Sequence, residues 1–276
     1  MPSGAHLALR GGAAAMPVLG LGTWQLNDCG PLVASALGAG YRHIDTARIY
    51  GTERDVGEGI RASGISRAEL FVTTKVWHED LREADFARSV DESLKALQTT
   101  YVDLLLVHWP SSRQVPLAET MRALAKAKRA GLARHLGVAN FNARMLEQAI
   151  ELCSEPVSVL QAEYHPALDQ TALLSACRRN EVVFTAYCPL GRGRVFEMDV
   201  LKQLAARKGR TVAQVVLRWL VQQGVAAVPR SAHPAHIASN LEVFDFDLMS
   251  DEVVAINALS RPDGRIVAPP FAPEWD

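Results

Sequence analysis

A chain of 276 residues is long enough for one large α/β domain with a sizeable core, or for two smaller domains. Hydrophobic residues make up 49% of it and charged residues 21%, which is typical of a folded globular protein and argues against a disordered or fibrous one. The formal net charge of -1 leaves no strong basic field, so neither nucleic acid nor an anionic membrane is an expected partner.

The first predicted element is a small hairpin at residues 6–17, HLALRGGAAAMP, whose Gly-Gly pair is typical of a tight turn. We expect it to cap the bottom of the structure that follows. Beyond it, short apolar runs rich in Val, Leu and aromatic residues alternate with segments of helical periodicity. The predicted strands are VLGLGT, YRHIDT, LFVTTKV, VDLLLVHW, LGVAN, SVLQAEY, VVFTAYCPL and VAAVP.

Alternating apolar strands and helices predict a parallel sheet covered by helices, and eight repeats match an α/β fold of the (β/α)8 TIM-barrel type. A doubly wound open sheet is the competing topology. Two segments fall outside the repeat and are predicted to be extra helices, DVLKQLAARKG at residues 199–209 and SDEVVAINALS at residues 250–260. No linker-like run divides the chain, so we predict a single domain that spans residues 1–276.

Polar residues stand at the ends of three successive predicted strands. Asp45, Lys75 and His108 end the second, third and fourth of them, at separations of 30 and 33 residues. Each separation is one strand and helix unit, so the three side chains should project from neighbouring strand ends, where barrel active sites are built. Tyr50 follows Asp45 by five residues and is close enough to fold over the same mouth.

These four residues have complementary chemistry. A tyrosine hydroxyl with its ordinary pKa near 10 is a slow proton donor, and a neighbouring ammonium lowers that pKa by favouring the phenolate. Lys75 would supply this charge and Asp45 would hold and balance it. His108 would orient a substrate carbonyl or share the proton transfer. The pattern predicts a proton-delivery site with Tyr50 as its donor.

The cysteines point to a reducing compartment. Cys29, Cys153, Cys177 and Cys188 are widely spaced and form no C-x-x-C pair, so we expect reduced thiols in a cytoplasmic protein. The opening residues show no continuous apolar core of a secretion signal, and later apolar stretches are interrupted by polar residues. We therefore expect neither secretion nor a membrane span.

Five motifs in order resemble the aldo-keto reductases: GLGTWQL, YRHIDTARIYG, TTKVW, VHWP and GVANF, followed by QAEYHP, AYCPLG and VPRS. The resemblance covers nearly the whole chain. It implies a (β/α)8 barrel that binds NADPH without a Rossmann domain and reduces carbonyl groups to alcohols. The chain accordingly has no G-x-G-x-x-G after its first strand. By resemblance, Tyr50 is the proton donor, Lys75 and Asp45 tune it, and His108 positions the carbonyl.

The resemblance also implies a set of cofactor contacts. Asn140 and Gln161 match residues that hold the nicotinamide carboxamide, Tyr187 matches the aromatic residue that stacks on its ring, and Arg192 is placed to meet the pyrophosphate. The VPRSAHPAHIASN segment resembles the part that holds the 2'-phosphate. The complete expected set is Gly22, Thr23, Asp45, Asn140, Gln161, Tyr187, Cys188, Leu190, Gly191, Arg192, Arg230, Ser231, His236 and Asn240.

Four positions depart from the family pattern. Arg230 stands where a lysine is usual and keeps a charge that binds phosphate. Ala139 and Cys188 stand where serine is usual, which removes one hydroxyl and weakens another donor. His236 stands where an arginine commonly holds the 2'-phosphate, and an imidazole is mostly uncharged at pH 7. Because nothing acidic repels the phosphate, we expect NADPH to remain preferred and NADH to be usable.

Three tryptophans follow predicted strands one, three and four. Trp24, Trp77 and Trp109 are therefore expected to line a substrate pocket together with Tyr50 and His108. The loops around it are short, so we expect an open pocket for small carbonyl compounds such as methylglyoxal, other aldehydes, keto esters and keto sugars. The protein is expected to act as a monomer.

Two other functions compete with a reductase. His43, Asp45, His108 and His165 could all approach a barrel mouth, as in a metal-dependent hydrolase, although Lys75 beside Asp45 argues against a metal there. A non-catalytic NADP(H)-binding sensor could use the same barrel. The reductase hypothesis predicts no metal site.

Overall fold

A computed structural model of the chain describes residues 5–10 and 15–276. Its regular elements are short strands alternating with helices. The strands are β1 (His6–Ala8), β2 (Ala15–Pro17), β3 (Leu21–Gly22), β4 (His43–Asp45), β5 (Phe71–Val76), β6 (Val102–Val107), β7 (Ala133–Ala139), β8 (Val157–Glu163), β9 (Val183–Tyr187) and β10 (Ala226–Ala227). The helices are α1 (Gly30–Ala39), α2 (Glu53–Ala62), α3 (Glu83–Ala96), α4 (Leu117–Arg129), α5 (Ala143–Leu152), α6 (Thr171–Arg179), α7 (Asp199–Lys208), α8 (Val212–Gln222), α9 (Pro234–Asn240) and α10 (Ser250–Asn257).

The N-terminal hairpin is present. Strands β1 and β2 pair antiparallel, with Leu7 opposite Met16. The Gly-Gly pair expected at its turn lies outside the described residues. Met16 is fully buried and packs in a cluster with Phe71, the first residue of β5, and with Leu104. The prediction of a hairpin that caps the bottom of the barrel is thus confirmed.

Strands β3 to β10 form one parallel sheet in sequence order. Its two edges meet, because the backbone N–H of Gly20 donates to Ala227 O at 2.9 Å and that of Ala227 donates to Val18 O at 2.8 Å. A sheet that closes on itself is a barrel, so the (β/α)8 prediction is confirmed and the open-sheet alternative is wrong.

The central barrel strands are buried on both faces. Every residue of β5, β6 and β8 is buried, as expected for parallel strands covered by helices. Helices α7 and α10 are the two predicted extra helices. None of the helices in the described part of the chain is long and apolar enough to cross a bilayer.

The register sets the positions of the candidate site residues. In β4 and β5, Asp45 pairs with Thr73, and in β5 and β6, Lys75 pairs with Leu106. Asp45 is the last residue of β4 and Lys75 the penultimate residue of β5, so both side chains lie at the carboxyl end of the barrel. His108 follows β6 directly, and its backbone N–H donates to Val76 O at 2.9 Å.

Candidate active site

A cleft of about 860 Å³ opens at the carboxyl ends of the barrel strands. This volume is within the range of small-molecule and cofactor sites. Most of the residues predicted for the site line it. They are Gly22, Thr23, Trp24, Asp45, Tyr50, Trp77, His108, Trp109, Asn140, Gln161, Tyr187, Cys188, Leu190, Arg192 and Arg230.

Lys75 lies beneath the cleft floor and joins two of its residues. Its side chain is fully buried, and its Nζ donates to Asp45 Oδ1 at 2.6 Å, to Thr46 O at 2.8 Å and to Tyr50 Oη at 3.5 Å. Asp45 Oδ2 in turn accepts a hydrogen bond from Gln161 Nε2 at 2.7 Å. The Tyr50 hydroxyl, the Lys75 ammonium and the Asp45 carboxylate therefore belong to one hydrogen-bond network.

Burial and charge have opposite effects on the pKa values of Lys75 and Tyr50. Burial alone would lower the pKa of Lys75, but the attraction of Asp45 and Tyr50 and its hydrogen bonds raise that pKa above the ordinary value, so the ammonium stays charged. Burial raises the pKa of Tyr50, and Lys75 lowers it by a smaller amount. The expectation that Lys75 leaves Tyr50 more acidic than a free tyrosine is therefore wrong in its net direction, because desolvation of the phenolate is the larger effect.

His108 is a neutral imidazole at the cleft wall. Burial, and then the charge of Lys75, lower its pKa well below the ordinary value. Its ring meets that of Tyr50 edge to face at a centroid distance of 5.6 Å. Its Nδ1 atom is buried and has no hydrogen-bond partner among the described residues. A neutral imidazole has one N–H donor, so His108 can donate to an oxygen placed beside Tyr50.

Acid should destabilise the folded protein in a defined window. Burial lowers the pKa of His43, His78, His108 and His135 below about 6.5, so the unfolded chain binds protons that the folded chain does not as pH falls through that value. Their favourable contribution is present above about pH 6.5 and is lost below it. The raised pKa of Glu53 acts in the opposite direction, but it is one group against four.

We therefore expect the thermal unfolding midpoint to be several degrees lower near pH 5.5 than near pH 7.5. Scanning calorimetry across this range checks the expectation. A midpoint that is constant or rises on acidification would contradict it.

Three amide and phenol groups meet on another part of the cleft wall. Asn140 has a left-handed backbone with φ of 62°, and its side chain donates to His108 O at 2.8 Å and accepts from Tyr187 Oη at 2.7 Å. Gln161 points its Nε2 at Asp45. The side-chain oxygen of Gln161 forms no hydrogen bond within the described part of the chain, which leaves an acceptor for a ligand.

Positive charge collects beside Trp24. The guanidinium of Arg192 lies 5.0 Å from the Trp24 ring centroid, and Arg230 donates to Trp24 O at 3.3 Å and to Gln25 O at 2.9 Å. The loop that carries Arg192 turns through left-handed residues, with φ of 50° at Arg192 and 96° at Gly193. The backbone N–H of Gly193 donates to Leu190 O at 2.9 Å within this loop, so the positive charge available to an anion here comes from the two guanidinium groups.

Five predicted site residues do not line the cleft. Lys75, Asn240 and Gly191 are buried. The Ser231 hydroxyl accepts from the backbone N–H of His233 at 3.1 Å, and the His236 ring meets that of His233 edge to face. Of these five residues, only Lys75 forms hydrogen bonds with catalytic candidates that line the cleft, Asp45 and Tyr50.

The predicted tryptophans separate into two groups. The Trp77 ring meets that of His108 at 5.1 Å, and Trp77 and Trp109 both contact Phe271, at 5.8 and 5.5 Å. Trp24 lies instead beside Arg192 and is 37% exposed. The aromatic wall next to Tyr50 is therefore built from Trp77, Trp109 and Phe271.

The metal-dependent alternative has no ligand cluster to support it. Within residues 5–10 and 15–276, no three His, Cys, Asp or Glu side chains come together as metal ligands would. His43 bonds Thr73 Oγ1 at 3.1 Å, His165 bonds Glu163 Oε1 at 3.0 Å, and Asp45 faces Lys75. Three of the four residues proposed for a metal site thus have other partners, and the fourth, His108, lies beside Tyr50.

Sequence reasoning missed the segment that covers the cleft. Residues 265–276, which we name the roof segment, follow α10, and five of their number line the cleft: Ile266, Val267, Ala268, Pro269 and Phe271. The expectation of short loops that leave the pocket open did not foresee this cover. Glu163, at the end of β8, was also missed, although a glutamate at the end of an apolar predicted strand was a visible signal.

A closed parallel barrel with a deep polar and aromatic cleft at the carboxyl ends of its strands is the architecture of a barrel enzyme. The Aldo/keto reductase family model matches residues 18–261. The chain belongs to the aldo/keto reductase family.

Similar proteins extend over nearly the whole chain. A methylglyoxal reductase DkgB of Yersinia pestis is 40% identical over 266 residues, which cover 95% of this chain and 99% of that protein. A crystal structure provisionally named a 2,5-diketo-D-gluconic acid reductase B is 45% identical, with a TM-score of 0.95, and covers 99% of this chain and 98% of its own. The Bombyx mori aldo-keto reductase in complex with NADP is 32% identical, with a TM-score of 0.90, and covers 97% and 95%.

Proposed function

We propose that this protein is an NADPH-dependent reductase that converts small carbonyl compounds to alcohols, with Tyr50 as proton donor. The observation that carries the proposal is the buried ammonium of Lys75, held between the Asp45 carboxylate and the Tyr50 hydroxyl at the cleft floor. This arrangement suits delivery of one proton to a substrate oxygen. The names of relatives, a methylglyoxal reductase and a glyoxal reductase among them, support a small dicarbonyl as substrate.

The residues of the cleft fit a nicotinamide dinucleotide. The cleft volume suits it, the free oxygen of Gln161 and the side chain of Asn140 offer partners for a carboxamide, and the Tyr187 ring offers a surface for stacking. Arg192 and Arg230 provide positive charge for phosphates. We assign Gly22, Thr23, Cys188, Leu190 and Gly191 to further contacts along the cofactor, and Ser231, His236 and Asn240 to its adenosine end.

When bound, NADPH supplies the hydride that the carbonyl carbon receives. The protein's part is the proton and its surroundings. Tyr50 donates its hydroxyl proton to the substrate oxygen, and Lys75, 3.5 Å away, stabilises the negative charge that develops on the phenol oxygen. Asp45 keeps the ammonium in place. His108, neutral because of its lowered pKa, donates a hydrogen bond that holds the carbonyl beside Tyr50.

The raised pKa of Tyr50 has a favourable side in this mechanism. A phenol whose pKa lies above its ordinary value stays protonated throughout the neutral range, so the donor form is always populated. Lys75 then acts during proton transfer, when the phenolate forms next to its charge. This is selective stabilisation of the reacting state over the resting state.

The substrate end of the cleft is aromatic. Trp77, Trp109 and Phe271 form one wall, and Tyr50 and His108 provide the polar groups that fix a carbonyl. Such a pocket suits a small carbonyl compound, and we propose aldehydes, methylglyoxal, keto esters and keto sugars such as 2,5-diketo-D-gluconate as its range. Consumption of NADPH in the presence of each of these compounds tests the proposal. If none of the compounds supports NADPH consumption, the proposal is refuted.

His236 offers a test of the adenosine end by binding alone. An arginine there would add a permanent charge and a planar set of donors for the 2'-phosphate. We expect His236→Arg to tighten NADPH binding about tenfold and to leave NADH binding unchanged, because NADH has no 2'-phosphate.

Titration of the intrinsic tryptophan fluorescence with each nucleotide gives both dissociation constants. NADH serves as the internal control in the same protein sample. An equal gain for the two nucleotides, or no gain for NADPH, would remove His236 from the 2'-phosphate site.

A further inference from the structure

Glu163 is a buried carboxylate whose main partners belong to the roof segment. It is the last residue of β8 and has no exposed surface. Its Oε1 accepts from the backbone N–H of Ile266 at 2.7 Å, and its Oε2 accepts from that of Val267 at 2.8 Å. His165 Nε2 donates the third hydrogen bond, at 3.0 Å. One side chain of the barrel thus holds two successive amides of a segment more than 100 residues later.

Hydrogen bonding keeps this carboxylate ionised. Burial alone would raise the pKa of Glu163, but the hydrogen bonds from His165 and from the amides of Val267 and Ile266 lower it below its ordinary value. Among the described residues, no lysine or arginine forms an ion pair with it, so backbone amides of the roof segment satisfy most of the charge. Charge-assisted bonds of this kind are stronger than neutral ones.

The roof segment is held at two further places. The Phe271 ring lies against that of His78, tilted by 35° at a centroid distance of 3.9 Å, and it contacts Trp109. The chain end is held at α5, where the backbone N–H of Ala143 donates to Asp276 Oδ2 at 2.8 Å. The Glu163 contact is the one nearest to the start of the segment. Without it, the part from Ile266 onward would have its first firm attachment at Phe271.

Glu163 itself is not part of the cleft wall, whereas both residues that it holds are. We propose that Glu163 is a positioning residue that fixes the roof segment over the cleft and so sets the apparent affinity for the carbonyl substrate. The inference rests on the proposed reductase function. It assigns to Glu163 no contact with substrate or cofactor and no part in proton transfer.

Glu163→Gln tests the assignment, because glutamine keeps the size of the side chain and replaces one acceptor oxygen with a donor that faces a backbone N–H. We expect KM for methylglyoxal to rise about tenfold and kcat to change less than twofold, since Tyr50 and Lys75 are untouched. Hydrogen exchange followed by mass spectrometry should show faster exchange in peptides that contain Ile266 and Val267.

Glu252→Gln is the matched control. Glu252 is also buried and accepts a backbone N–H, that of Met249, at 2.8 Å, but it belongs to α10 and does not line the cleft. The same chemical change there should leave KM and the exchange of the roof segment as in the wild type. A rise in KM that is equal in the two variants would reduce Glu163 to a general stabilising residue and overturn the proposal.

A double variant gives a second readout if the effect of Glu163→Gln is small. Asp276→Ala loosens the roof segment at its attachment to α5, outside the cleft lining, so the two changes should be non-additive in KM if both act through this segment. Independent, additive effects contradict the proposal, as does unchanged exchange at Ile266 and Val267. If the wild type reduces no carbonyl compound, the proposed function fails, and hydrogen exchange still decides whether Glu163 holds the roof segment.

Discussion

Replacing Tyr50 with phenylalanine is expected to lower kcat for carbonyl reduction by about 10³-fold, within the range known for loss of a general acid. The phenol hydroxyl is the only group that we assign to donate the proton, and Lys75 at 3.5 Å stabilises the charge it leaves behind. The ring remains in the variant, so the edge-to-face contact with His108 and the shape of the cleft should persist. NADPH binding, measured by fluorescence titration, should change less than twofold.

Tyr164→Phe is the matched control for this variant. Tyr164 is buried and its hydroxyl donates to Gln223 at 3.3 Å, away from the cleft. Loss of that hydroxyl should leave kcat unchanged. A Tyr50→Phe variant that keeps more than a tenth of wild-type activity would mean that another group supplies the proton. Turnover by the wild type also separates the enzyme from a non-catalytic NADP(H) sensor on the same barrel.

The second large effect is expected at Lys75, where chemistry and stability are coupled. Lys75→Met removes the charge beside Tyr50 and leaves the Asp45 carboxylate buried without its partner. Breaking one side of a buried ion pair costs about 3–5 kcal/mol of unfolding free energy. We expect that loss in urea unfolding, together with a fall in kcat of about 10²-fold or more.

The double variant Lys75→Met with Asp45→Asn separates the two effects. Neutralising Asp45 removes the uncompensated charge, so most of the lost unfolding free energy should return. Activity should not return, because the ammonium that stabilises the phenolate is still missing. Recovery of activity with stability would show that Lys75 acts only as a structural partner of Asp45.

The barrel and the meeting of Asp45, Tyr50, Lys75 and His108 followed from spacing alone. Parallel strands joined by helices bring their carboxyl ends to one face, so residues one strand and helix unit apart become neighbours in space. The alternation of strands and helices in the sequence is therefore sufficient to predict which strand ends are neighbours. The cofactor and substrate roles of the individual residues remain predictions, as does the single domain of residues 1–276.

Effects of burial and of contacts between distant residues could not be predicted from the spacing of motifs in the sequence. The lowering of the Tyr50 pKa by Lys75 was expected from their proximity, but the larger raising effect comes from burial, which a linear sequence does not state. Phe271 lies far along the chain from Trp77, so no local pattern indicated that the C-terminal residues would return to the aromatic wall. Glu163 ends an apolar predicted strand, but both of its amide partners are backbone groups, so nothing in the sequence indicated what it binds.

The central claim is that this cleft transfers a hydride from NADPH to a small carbonyl compound while Tyr50 provides the proton. Incubation with methylglyoxal and NADPH deuterated at nicotinamide C4 tests it most directly, with mass spectrometry of the product. The account predicts a hydroxy product that carries one deuterium on carbon when one of the two C4 epimers is used, and none with the other. Absence of any reduced product, or product without deuterium from either epimer, would contradict it.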